Sequence, residues 1–155
     1  EASTSNKNNL DTSKSIVAEI PQKPQKESTS PSIVVEKRTN IEARKGVMER
    51  FSFPKTESIS LTEDMKSYLN KVAEYLKKNP GSRVLVVGHS DMSPSLEKNT
   101  LRARQRAKNV EKYLLSLGIP QGRIIASWKG TLFAVAPNDT EEGRYKNRRV
   151  EITIE

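Results

Sequence analysis

The stretch that decides the fold runs from Val84 to Val110 and reads VLVVGHSDMSPSLEKNTLRARQRAKNV. Arg83–Val87 is an apolar, mostly β-branched run without polar alternation, which predicts an inner strand covered on at least one face. Gly88 permits a sharp exit from that strand. Ser93-Pro94 then resembles an N-cap with proline at the first helical position, and the following helix runs to Leu117, where Gly118 supplies the stop. Ala103, Ala107, Val110, Leu114 and Leu117 form its buried stripe, while Arg102, Arg104, Lys108, Glu111 and Lys112 face outward. Asn99, Ala103 and Arg106 fall at i, i+4 and i+7 on one face, so Asn99 and Arg106 can converge with Ala103 leaving room between them. An acid, Asp91, thus stands at the mouth of a strand, and a guanidinium on the helix that follows. Arginine offers a planar fork that matches a carboxylate, and an aspartate accepts from an ammonium or from backbone amides. The pair suits a small zwitterion.

Outward from this stretch, Val47–Phe53 alternates Val47, Glu49, Phe51 and Phe53 against Met48, Arg50 and Ser52, a first strand stopped by Pro54. Ser60-Leu61-Thr62-Glu63 is a capping-box pattern. Leu61, Met65, Tyr68, Leu69, Val72 and Leu76 follow at helical spacing, and Asn79-Pro80-Gly81 ends the helix. Downstream, Arg123–Trp128 reads as a third strand and Lys129–Asn147 as a charged loop. Arg148–Glu155 reads as a last, half-exposed strand with Val150, Ile152 and Ile154 inward. The order β-α-β-α-β-β predicts an α+β fold, a mixed sheet with both helices packed on one face.

The first 45 residues have another character. They are rich in Ser, Thr, Asn, Lys and Pro, and PQKPQKESTSPS (Pro21–Ser32) has the composition of a solvated linker. The reading is a disordered tether over residues 1–45 and a folded domain over residues 46–155. Of the formal charge of +8, residues 1–45 (8 basic, 6 acidic) carry +2 and residues 46–155 (19 basic, 13 acidic) carry +6. The basic excess sits mainly on the folded part and favours an anionic partner such as nucleic acid, acidic lipid or cell wall. Without cysteine there is no disulfide scaffold and no thiolate metal site. No run approaches the roughly 18 apolar residues of a membrane span. With neither an initiator Met nor an apolar signal region, the chain reads as a processed product or a fragment, any anchor lying upstream of Glu1.

Two motifs, taken together, resemble the OmpA-like peptidoglycan-binding domain of outer-membrane proteins, Pal-type lipoproteins and MotB-type stator subunits. One is Gly88-His89-Ser90-Asp91 followed by Asn99 and Arg106-Ala107. The other is Ala136-Pro137-Asn138-Asp139-Thr140, Gly143-Arg144 and Asn147-Arg148-Arg149-Val150-Glu151-Ile152. The resemblance covers Phe51 to Glu155. It implies the same sheet-and-two-helix architecture and a domain that grips the diaminopimelate of the peptidoglycan stem peptide without forming a covalent bond. Carried over by motif, Asp91 and Arg106 hold that amino acid's ionic groups, with Asn99 lining the pocket. Ser90 keeps a hydroxyl where the family usually has threonine. Arg149, with Arg144 and Arg148, is a further candidate contact to glycan or peptide carboxylates; salt bridges pinning the last loop and strand are the equal alternative for Arg148. Pro94, the pair Arg102-Ala103 and Trp128 depart from the family pattern.

These expectations describe a periplasmic binding module, attached to the outer membrane or cell envelope through an upstream anchor, with peptidoglycan as partner and a homodimer left open. No cofactor and no metal are expected: His89 is the chain's one histidine, so neither a His-rich metal site nor a catalytic triad with a spare base can be built. His89 is read as structural. A nucleic-acid binder is the second reading, from the pI of about 9.7 and the run Arg102, Arg104, Arg106, Lys108. Sparse aromatics and the absence of a reading motif count against it. A wall-acting enzyme is the third, and it lacks a paired-carboxylate pattern, a nucleophile elbow and a metal motif.

Overall fold

A computed structural model describes residues 41–155; the tether expected over residues 1–45 lies, up to residue 40, outside them. The elements are β1 (Met48–Ser52), α1 (Glu63–Lys78), β2 (Val84–His89), α2 (Leu96–Ser116), a 3-10 turn (Gln121–Arg123), β3 (Ile124–Gly130), α3 (Glu141–Asn147) and β4 (Arg149–Ile154). The strands form one mixed sheet in the order β1-β4-β2-β3, with β4 antiparallel to both neighbours and β2 parallel to β3. Parallel pairing of β2 and β3 needs a crossover, and α2 supplies it.

Alternation along the strands divides the sheet into two faces. Phe51, Val84, Val86, Val150, Ile152 and Ile154 point to one side, where Met65, Tyr68, Leu69, Val72 and Leu76 of α1 and Ala107, Val110 and Leu114 of α2 close the core. Both helices therefore lie on one face, as the sequence predicts. Ile41 and Ala43 also pack on this core, and Lys45 bridges to Ile154, so the fold takes in residues ahead of position 46. Arg123 ties the end of α1 to the turn before β2, donating to the carbonyls of Leu76 (2.8 Å), Asn79 (2.7 Å) and Ser82 (2.8 Å from Nε). Those acceptors include C-terminal helix carbonyls that have no intrahelical donor.

Several local expectations are corrected. The cap of α1 is Thr62, whose hydroxyl accepts from the Met65 N–H, rather than Ser60. The carbonyls of Ser58 and Ile59 are held by Arg106 and Asn109, which keeps this stretch in loop conformation and starts the helix later. The cap of α2 is Ser95, not Ser93, because Asn99 engages both the hydroxyl and the carbonyl of Ser93. The loop expected over Lys129–Asn147 ends in the short helix α3, capped by Thr140. Strand β4 is central rather than half-exposed: Arg149 and Glu151, on the side away from the helices, are also buried. Glu111, read as outward-facing, is buried and paired with Lys108.

Gly88 has a different purpose from the sharp exit its position suggests. A Cβ built there would lie 2.0 Å from the Ala103 carbonyl oxygen and 3.1 Å from the Ala107 nitrogen, so the missing side chain is what lets α2 cross β2 this closely. Immediately beyond it the pairing with β3 shifts register between Gly88 and His89. Such an irregularity re-aims the strand end at the point where Ser90 and Asp91 follow. Gly88→Ala must displace helix backbone. We expect it to lower stability by about 3 kcal/mol, the upper part of the usual overpacking range, read as a reduced urea midpoint with an unchanged slope.

Candidate functional site

The site lies where β2 ends, at Ser90 and Asp91, beneath the loop joining β1 to α1. Asp91 is 1% exposed and Arg106 0%, and a second guanidinium, Arg148, is 1% exposed. Arg148 Nη1 donates to Asp91 Oδ2 at 3.2 Å, and the Thr56 hydroxyl donates to the same oxygen at 2.8 Å. Asp91 Oδ1 and the Ser90 hydroxyl, both buried, find no partner among the described residues. Two orphaned oxygens in one short segment are unusual, because a buried polar atom without a partner costs about 1–3 kcal/mol.

Arg106 is committed largely to main chain. Its Nε donates to Ser58 O (2.9 Å), Nη1 to His89 O (2.8 Å), and Nη2 to Thr56 O (2.8 Å) and Lys55 O (3.3 Å). The guanidinium also lies 4.7 Å over the Phe53 ring, a favourable seat for a desolvated cation. Burial pushes its pKa down to about 10, with Asp91 pulling the other way, so it stays protonated at neutral pH. Arg148 is bound in the same manner: Nε to Phe53 O (3.0 Å), and Nη2 to Pro54 O (2.9 Å) and Glu141 Oε1 (2.5 Å). Each guanidinium thus has four of its five N–H groups engaged and retains one on Nη1. The free fork expected of Arg106 is already occupied by loop carbonyls. A carboxylate entering here would take a remaining Nη1 hydrogen or displace a carbonyl.

Asn99 reaches this neighbourhood through Ser93, accepting from its hydroxyl and donating to its carbonyl at 3.0 Å. It holds the loop that leaves Asp91. Arg149 is not brought to Asp91. Neighbours on a strand point to opposite faces, and Arg149 turns to the helix-free side, donating to Glu151 (3.2 Å) and to Phe133 O (3.0 Å). The residue of the pair that meets Asp91 is Arg148. The sequence contained the signal: with Val150, Ile152 and Ile154 inward, alternation puts Arg148 on the helix side and Arg149 on the other, and the motif match passed over it.

The motif Ala136–Ile152 serves largely as scaffolding. Asn147 accepts from the N–H groups of Val135 and Ala136 and donates to Ala136 O and to Asn138 Oδ1. Asn138 Oδ1 in turn accepts the Met92 N–H at 3.0 Å, fixing the residue after Asp91. A Cβ at Gly143 would lie 1.8 Å from Pro137 O, so the first turn of α3 closes on this loop only with glycine there. Asn138 and Asn147 are positioning residues that motif reading left without a role.

His89 pairs with Glu151 across the helix-free face, Nε2 to Oε1 at 2.9 Å. The run Arg102, Arg104, Arg106, Lys108 does not make a basic surface: Arg106 is buried, Arg102 bonds Ser93, Arg104 lies over Trp128, and Lys108 pairs with Glu111. No helix among the described residues is long and apolar enough to cross a membrane.

With this geometry in hand, comparison with known proteins is decisive for the family. The OmpA family model matches residues 54–148. The chain belongs to the OmpA family. Among curated relatives it is 42% identical over 86 residues to the peptidoglycan-binding protein ArfA of Mycobacterium tuberculosis, covering 56% of the chain and 26% of the relative. It is 36% identical over 104 residues to outer membrane protein A of Bordetella avium, covering 67% of the chain and 52% of the relative. The chain thus spans about a quarter to half the length of these OmpA-family relatives. In structure it is similar to the C-terminal domain of Helicobacter pylori MotB, with TM-score 0.62 at 31% identity, covering 69% of the chain and 84% of that domain. It is also similar to the peptidoglycan-associated lipoprotein of Burkholderia pseudomallei, with TM-score 0.64 at 26% identity, covering 68% of the chain and 89% of that protein.

The charged groups give this OmpA domain a defined pH response. Burial, followed by the neighbouring Arg149, lowers the pKa of His89 against the pull of Glu151, so folding favours the neutral ring. The unfolded chain binds the extra proton first, and stability falls as pH drops below about 6.5. Burial opposes the charge of Glu151, but the bond from Arg50 and the charges of Arg149 and His89 outweigh it and lower its pKa. The bond from Arg148 lowers that of Glu141. Both acids contribute stability that is present above about pH 4.5 and is lost as pH falls through their depressed values. We expect the melting temperature to decline in two stages on acidification. His89→Gln, which keeps a hydrogen bond to Glu151, should remove the first stage in a thermal-melt series from pH 7.5 to 3.5.

Proposed function

We propose that this domain binds peptidoglycan non-covalently through the diaminopimelate of the stem peptide and so tethers an envelope protein to the cell wall. The observation that carries the reading is the buried carboxylate of Asp91, with one oxygen unpartnered, between two buried guanidiniums. An ammonium donates to Asp91 Oδ1, and the carboxylate on the same carbon takes the remaining Nη1 hydrogens of Arg106 and Arg148. An amino acid's zwitterionic end satisfies both needs at once, whereas a simple anion leaves the aspartate oxygen orphaned. The Ser90 hydroxyl is a further acceptor or donor beside it. Asn99 and Asn138 keep the surrounding loops in place. Membership of the OmpA family, and relatives named for peptidoglycan binding and peptidoglycan association, support the polymer as partner.

The function is retention rather than reaction. Affinity at each site need only be modest, because a tether keeps the domain near a polymer that presents many copies of its ligand. We place the domain in the periplasm, facing the wall. Removing one partner of a desolvated charge pair costs about 2–5 kcal/mol of binding. Asp91→Asn keeps the volume and the Thr56 contact but removes the charge. We expect it to lose sedimentation with purified sacculi and calorimetric binding of diaminopimelate, with circular dichroism unchanged. Undiminished binding by this variant would place the ligand elsewhere.

A further inference from the structure

A second concave surface lies on the adjoining flank of α2. Leu96, Glu97, Thr100, Leu101 and Arg104 form one wall and Trp128 of β3 the other of an open groove of about 660 Å³. That volume is in the range of small-ligand sites. Leu96 and Leu101 are 71% and 50% exposed, so the wall includes two leucine side chains that the core does not use. The Arg104 guanidinium sits 5.2 Å from the centre of the Trp128 ring and holds the indole in one orientation. Gly130 at the end of β3 packs close to Thr100, so the two walls are fixed to one another. The groove is therefore a built feature: a braced aromatic plane, leucine methyls, and a hydroxyl, a carboxylate and a guanidinium at its edge.

We propose that this groove is a subsite for the N-acetylated sugar backbone of the polymer whose peptide enters the Asp91 centre. The proposal rests on the peptidoglycan reading of that centre. A hexosamine ring has an apolar C–H face that lies on an aromatic plane, acetyl methyls that fill leucine-lined space, and hydroxyls that bond to edge groups such as Thr100, Glu97 and Arg104. The two sites are continuous along α2. The loop from Asp91 enters the helix through Ser93 and the cap Ser95, and Leu96 is the next residue. Asn99 and Arg106 then face the ionic centre while Leu96, Thr100 and Arg104, at i, i+4 and i+8, face the groove. A branched polymer of sugar and peptide can straddle the helix N-terminus, its peptide on one side and its glycan on the other. Two weak contacts on one molecule then reinforce one another through effective concentration.

Trp128 is the chain's one tryptophan, so its emission reports on the groove directly. The full chain is titrated with peptide-free glycan strands from purified wall and, separately, with diaminopimelate. We expect a saturable change in Trp128 emission with glycan, weakened at least tenfold in Leu101→Glu and in Arg104→Ala, while both variants bind diaminopimelate as the wild type does. In Asp91→Asn the glycan response is expected to persist while diaminopimelate binding is lost. No emission change at saturating glycan, or an equal change in Leu101→Glu, would overturn the subsite and leave the Asp91 reading intact. Loss of both ligands in Asp91→Asn would show one site rather than two and would likewise overturn it. Failure of the Asp91 reading has its own signature, diaminopimelate binding that the Asp91 substitution does not alter.

Discussion

Two arginine side chains with almost no solvent contact, Arg106 and Arg148, set the terms for the rest of this end of the molecule. Removing a guanidinium from water costs several kcal/mol unless its N–H groups and its charge are both answered. The fold answers the N–H groups with main-chain carbonyls from Phe53, Pro54, Lys55, Thr56, Ser58 and His89. It answers the charge with Asp91 and Glu141. The loop between β1 and α1 is consequently held in place by these cations as well as by its buried Phe53 ring and Leu61. Because Asp91 is shared between Arg148 and the influence of Arg106, the site has more buried positive charge than negative, and it retains an unfilled carboxylate oxygen. A ligand with both signs on one small unit is the natural complement.

The central position of β4 gives the sheet two different faces. On one, Val150, Ile152 and Ile154 meet the helices. On the other, Arg149 and Glu151 join His89 and Arg50 in a polar cluster behind the strand end. The main chain of His89 accepts from Arg106 while its ring pairs with Glu151, so the two faces are mechanically linked through one residue. The long motif after Val135 belongs to this support system. Its asparagines hold a loop and Met92, and Arg148 reaches the site. Such a pattern can recur in OmpA-family chains because it builds the site, whether or not each residue touches a ligand.

Much of this was present in the sequence, for identifiable reasons. The stripes of α1 and α2, the buried run of β2 and the alternation of β4 fixed the elements, since period and burial follow directly from backbone geometry. The motif around Asp91 and Arg106 pointed to the end of β2, where the structure buries both side chains. What the sequence misplaced was decided by contacts between distant residues. Ser60 and Ser93 are good caps in isolation, but Arg106, Asn109 and Asn99 claim the neighbouring groups, and the helices begin later. Helix α3 is seven residues long and contains a glycine, too short to show a periodicity, though Thr140-Glu141-Glu142 carried a cap signal.

By itself the sequence determined the class of fold, the two covering helices and the family, because local periodicity and a rare combination of residues survive without coordinates. Only the tertiary structure decided that Arg148 closes on Asp91, that Arg106 spends its fork on loop carbonyls, and that Gly88 is needed for helix approach. Each of those depends on which groups compete for the same donor or the same few ångströms of space, and that competition exists only once the chain has closed on itself.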